Sequence, residues 1–146
     1  MATGLSTKNA PSPSVVLPHF AFAALMFLAS SVVMLLAAPK LVFHYHLNPE
    51  MLALTHLMVL GFITMIIFGS LYQLIPVVME VKLFSETLAK ITFYLFGTGL
   101  LILAVSFWEA TFGINQSWLW FEVSGMLILA AVIFFAINTL KSAAKS

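Results

Sequence analysis

The chain contains no cysteine, which removes disulfides, thiolate metal sites, iron–sulfur ligation and thiol nucleophiles together. Arginine is absent too, and six lysines against five acids leave a formal net charge of +1. That is too little positive charge to track a phosphate backbone, so nucleic acid is not an expected partner. Charged residues fill only 8% of the 146 positions, where an ordinary soluble domain carries about 25%. There is no glycine-rich phosphate loop, serine-nucleophile motif or HExxH zinc pattern. Histidine, carboxylates and methionine remain as ligands.

What is present is apolar: 62% of the residues are hydrophobic and 14% aromatic, which excludes both a soluble globule and a disordered chain. A hydrocarbon core of about 30 Å needs roughly 20 apolar residues in helix. Four runs satisfy this, from about Val15 to Ala38, Met51 to Met79, Ile91 to Trp108 and Trp118 to Leu140. The connections between them are short. The expected fold is therefore all-α, an integral membrane four-helix bundle spanning 15–140, with a flexible tail at 1–14 and a short tail at 141–146.

Lysine placement sets the expected orientation, because positive residues in short loops stay cytoplasmic. Lys8, Lys82, Lys90, Lys141 and Lys145 share one side against Lys40 on the other, so both termini are expected to be cytoplasmic. Trp108, Trp118 and Trp120 then gather at the outer interface as an aromatic belt. The competing reading of the first run is a cleaved signal peptide with small residues at Leu36-Ala37-Ala38, but the run is longer than a signal h-region. Asn48 is a helix cap, Pro49 suits a first turn and Glu50 complements the helix dipole, which makes the start of the second helix the best-defined boundary. Pro18 is expected in the first turn of the first helix, and Pro76 near the end of the second.

An ionisable group inside a membrane is costly and so is a functional candidate by default. His56 leads: seven residues after Pro49, it lies about 10 Å into its helix at 1.5 Å per residue. At 100° per residue its face continues through Val59, Leu60, Ile63, Ile67, Ser70 and Leu74, an apolar wall beneath one imidazole. A porphyrin needs that combination of an axial nitrogen and greasy surface; the plain alternative is a histidine bonded to a neighbouring helix. Gly61, Gly69, Tyr72 and Pro76 fall on the opposite face, a packing face, although Tyr72 and Gln73 sit where a quinone head group or a proton would arrive.

Weaker metal candidates are His44 and His46, with Glu50, Glu109 and Glu122 at the same outer level, a nitrogen and oxygen set suited to iron, copper or zinc. Solvated loop residues are the simpler account of that pair. His19 is expected at the inner interface as a packing residue, too far from His56 to share its iron within one subunit. The eight methionines read as adaptable filler, with Met58 and Met65 conceivable thioether ligands.

The strings Thr55-His56-Leu57-Met58-Val59-Leu60-Gly61-Phe62 and Phe68-Gly69-Ser70-Leu71-Tyr72-Gln73-Leu74-Ile75-Pro76 resemble the histidine-bearing helix of subunit I in the heme-copper oxidase and nitric oxide reductase superfamily. The likeness covers about 25 of the 146 residues; the other helices match only as apolar spans. The resemblance implies one four-helix arc of that subunit, with His56 at an axial-ligand position for a heme, b-type foremost, and copper possible without specific support. It implies electron transfer or binding of a small gas such as O2 or NO. It also implies a respiratory-chain or quinone partner, and a bacterial or archaeal inner membrane. The superfamily's subunit has about twelve helices and several metal histidines, so one copy of this chain is not expected to complete oxygen reduction.

A lone arc can rebuild a threefold arrangement as a homotrimer; a dimer is the rival, since twofold assemblies are commoner. Two other functions compete with heme binding: a non-heme structural or assembly subunit of a respiratory complex, and a histidine-based metal or proton transporter.

Overall fold

The computed structural model describes residues 7–41, 48–110 and 118–145. It is all-helical, with four helices long and apolar enough to cross a membrane. They are α1 (Pro13–Leu41), α2 (Pro49–Val78), α3 (Glu86–Ala110) and α4 (Trp118–Ala143), preceded by one 3-10 turn at Thr7–Asn9. The chain is thus a multi-pass membrane protein.

The helix starts follow from capping chemistry. Ser12 Oγ accepts from Ser14 N at 3.2 Å, which lets α1 begin at Pro13. Pro18 consequently stands in the second turn, not the first as expected from the sequence. At α2 the Asn48 side chain accepts from Met51 N at 2.9 Å, Pro49 occupies the first turn and Glu50 follows, as the sequence indicates. Ser85 Oγ accepts from Leu88 N at 3.1 Å and starts α3 at Glu86, five residues before the apolar run at Ile91. Hydropathy misses that first turn because it carries Glu86 and Lys90.

Within α2, the stretch Leu57–Thr64 is π-helical, with regular α-helix on both sides. Thr64 Oγ1 donates to the carbonyl of Val59, five residues back, at 2.9 Å. Bonds of i→i+5 type widen each turn beyond 3.6 residues, so positions four apart line up. The buried stripe accordingly runs Ala53, Leu57, Gly61, Met65, and the exposed one Thr55, Val59, Ile63, Ile67.

α2 packs against each of the other three helices, and α3 against α1, α2 and α4. The core forms three layers along the bundle. At the end carrying the termini are Val15, Val16, Tyr72, Leu83 and Ala89; in the middle Ala23, Met65, Phe68, Phe96 and Ala131; at the far end Met26, Leu57, Leu100 and Ala104. Gly61 admits the close approach of α1 and α3, since a Cβ there would lie 2.7 Å from Met26 Cβ and 2.9 Å from Leu100 Cδ2. In the middle layer Phe68 and Phe135 stack at 3.9 Å and 9°.

Both chain ends meet the connection between α2 and α3. Asn9 Nδ2 donates to the Glu80 carbonyl, Ser12 N to Glu86 Oε1 at 2.9 Å, and Phe84 N to Ser142 Oγ at 2.8 Å. Asn138 clamps Ser85 from both sides, accepting from its N–H at 3.0 Å and donating to its carbonyl at 2.9 Å. Lys141 and Lys145 lie over the Phe84 ring at 4.8 and 5.2 Å. The segments carrying Lys8, Lys82, Lys141 and Lys145 therefore share one end of the bundle, with Lys40 at the other.

Candidate functional site

His56 is the last residue of the regular turn that opens α2, immediately before the π-helical stretch. Its Nδ1 lies 2.7 Å from the Leu52 carbonyl, one turn back. A carbonyl only accepts, so Nδ1 carries the proton and Nε2 the lone pair. Metal-bound histidines are commonly oriented this way, the second ring nitrogen held by a backbone carbonyl. The ring lies 5.0 Å from that of Phe107 on α3, tilted by 33°, and the residue is half-buried.

Of the wall expected below His56, Val59, Ile63 and Ile67 do face outward, each 45–47% exposed. Leu60 is different: it is half-buried and packs against the middle and far core layers. The widened turn explains this: positions four apart line up, so Leu60 and Thr64 share the half-buried column of His56, whereas Val59, Ile63 and Ile67 share the exposed column of Thr55. Beside the stripe, Phe27, Ser31 and Met34 of α1 and Leu54, Met58 and Val59 of α2 line an apolar groove of about 460 Å³. Met58 thus borders open space, whereas Met65 is wholly enclosed in the middle core.

The expected packing face is confirmed: Gly61, Gly69, Tyr72 and Pro76 are all buried, and Gln73 is exposed. His19, expected at the interface, lies instead in the core with no exposed surface. Gly69 makes room for it, since a Cβ there would lie 3.0 Å from His19 Cβ. His19 has the same local geometry as His56, its Nδ1 2.7 Å from the Val15 carbonyl. Rings of Phe93 and Tyr72 close over it edge-on at 5.1 and 5.4 Å. Gly69 marks the level of His19 on α2, thirteen residues or about 20 Å beyond His56, so the two histidines of one chain do not share an atom-sized ligand.

His44 and His46 lie outside the described residues. Among the described residues no group of three or more histidines and acids gathers as a metal site. Glu50 is buried at the start of α2, Glu122 is exposed, and Glu109 borders a groove of about 380 Å³ with Leu101, Val105 and Trp120. Trp118 and Trp120 are exposed at the end opposite the termini. The residues missed from sequence are Thr92 and Asn138, both wholly buried beside Tyr72. A lone asparagine deep in an apolar run was the available signal.

Comparison with protein-family models, characterised proteins and solved structures returns no match for this chain.

Proposed function

We propose that this protein binds heme in the membrane and serves electron transfer or binding of a small gas such as O2 or NO, as a single-arc relative of heme-copper oxidase subunit I. The observation that supports this reading is His56, an imidazole whose Nδ1 is held by the Leu52 carbonyl, one residue round the helix from an exposed stripe that carries Val59, Ile63 and Ile67. A porphyrin suits that donor and that surface: His56 Nε2 would hold the iron, and Val59, Ile63 and Ile67 would lie against the ring. Heme supplies the one-electron and gas-binding chemistry when bound; the chain supplies the axial nitrogen, its orientation and an apolar, water-excluding wall.

Among the described residues His56 is the one histidine beside an exposed apolar stripe, so a second copy is the natural source of a second ligand, with a homotrimer favoured over a dimer. Both termini are assigned to the cytoplasm on the lysine asymmetry. A quinone or another respiratory subunit is the natural electron partner. The test is the visible spectrum of the purified protein: a Soret band is expected, and His56→Ala should abolish or shift it while the helical content is retained. A heme-free wild-type protein, or an unchanged band in His56→Ala, overturns the assignment.

A further inference from the structure

Two buried side-chain atoms among the described residues have no hydrogen-bond partner: His19 Nε2 and Tyr72 Oη. They belong to residues whose rings meet at 5.4 Å, and both residues have no exposed surface. In a membrane such a coincidence is expensive, because a polar group in a low-dielectric core loses its water hydrogen bonds and gains nothing in their place. The chemistry of the two atoms is complementary. His19 Nδ1 is engaged with the Val15 carbonyl, which leaves Nε2 as a lone-pair acceptor, and Tyr72 Oη carries a proton to give.

Polar side chains also stand around the pair on the side of the Lys-bearing end. Thr92 of α3 and Asn138 of α4 approach the Tyr72 hydroxyl, and both are wholly buried. Asn138 in turn holds both backbone groups of Ser85, in the connection at the Lys-bearing end. Thr92 and Asn138 thus converge on the Tyr72 hydroxyl within a layer whose other members are Val15, Val16, Leu83 and Ala89, the Thr92 hydroxyl being engaged with the Leu88 carbonyl. The groups facing His19 from its neighbours are Tyr72 and Gly69 of α2 and Phe93 of α3, and Tyr72 is the titratable one. Charged groups of the flanking helices stand nearer the aqueous end: Lys90 borders a groove with Val15, Pro18 and Phe93, and Glu86 receives Ser12 N.

We propose that His19 and Tyr72 form a proton-binding site inside the bundle, loaded from the Lys-bearing end through the Thr92 hydroxyl, with the Asn138 amide positioning Tyr72 and carrying no proton itself. Tyr72 passes its hydroxyl proton to His19 Nε2 and its oxygen takes the incoming proton, so Tyr72 finishes neutral. His19 finishes as imidazolium with Nδ1–H still on the Val15 carbonyl, and the single positive charge gained is that of the proton taken up. The site is distinct from His56 and does not depend on heme.

The experiment is 15N magnetic resonance of histidine-labelled protein in phosphatidylcholine/phosphatidylglycerol nanodiscs, with the His19 signals assigned by their loss in His19→Gln. In the wild type, Nε2 should move from its unprotonated to its protonated frequency as the pH is lowered from about 8 to about 4. Tyr72→Phe should slow that exchange at least about tenfold; if that variant does not fold, Thr92→Val reads the same route and should slow it as well. A His19 that stays unprotonated throughout that range overturns the site. Exchange at the wild-type rate in the folded variant overturns the route.

Discussion

Gly61 offers the sharpest test of the packing, because the same substitution at Gly125 controls for it. A Cβ added at Gly61 meets Met26 Cβ and Cγ at 2.7 Å and Leu100 Cδ2 at 2.9 Å, while one added at Gly125 meets nothing within 4 Å. Met26 Cβ is fixed to the α1 backbone, so the clash cannot be relieved by swinging a side-chain tip and α1 must shift. Overpacking of this kind costs about 1–3 kcal/mol. Both variants gain the same helix propensity, about 1 kcal/mol for Gly→Ala. Differencing removes that shared gain, so Gly61→Ala should be about 1–3 kcal/mol less stable than Gly125→Ala, and Gly125→Ala equal to or slightly more stable than wild type. Reversible unfolding in mixed micelles titrated with SDS, followed by far-ultraviolet circular dichroism, measures both. Equal stability of the two variants would refute the close approach of α1, α2 and α3 at Gly61.

Asn138→Ala strips both backbone groups of Ser85 of their partner and should destabilise the bundle by about 2–4 kcal/mol in the same unfolding assay, whereas a surface change such as Gln73→Ala should be near neutral. For orientation, a cysteine replacing His44 should react with an impermeant maleimide from the outside of intact cells and one at Phe84 should not; the reverse pattern would place the termini outside. Native mass spectrometry from detergent should give a trimer carrying heme at subunit interfaces. A dimer would leave heme binding standing but reject the threefold analogy, and a monomer with full heme would reject the intersubunit site.

The four spans and the start of α2 were legible because they rest on local rules: run length for the spans, and the Asn48-Pro49-Glu50 triplet for the cap. Which way each helix faces was harder to read, and the reason is the solvent. In water the buried face of a helix is the apolar one, but in lipid both faces are apolar, so α1 offers no periodicity to say that His19 turns inward while Leu17 and Leu25 turn outward. α2 defeated the standard wheel for a different reason. The wheel assumes 100° per residue, and the π-helical stretch at Leu57–Thr64 turns less, which aligns Met65 with Leu57 and Gly61 in the core, keeps Leu60 in the column of His56 and moves Val59 and Ile63 into that of Thr55. The four-residue spacing of Leu57, Gly61 and Met65 was visible in the sequence, but only the packing distinguishes it from a drifting α-helical stripe.

The two histidines within the described helices share one local device and differ in everything around it. Each commits Nδ1 to the carbonyl four residues back, and so each presents Nε2 as a lone pair. For His19 the surroundings are complete, with Tyr72, Phe93 and Gly69 closing the core around it, and what the ring lacks is a proton donor in place. For His56 the ring rests on Phe107 and the half-buried Leu60 follows it along the helix, while the stripe beside it is open. Val59, Ile63 and Ile67 are satisfied by acyl chains, since hydrocarbon is as good a neighbour for them as another helix. An imidazole nitrogen is not, because hydrocarbon offers it no hydrogen bond and no ligand field. The His56 side of α2 therefore sets a nitrogen ligand next to an open aliphatic stripe, and the proposed heme site rests on that combination.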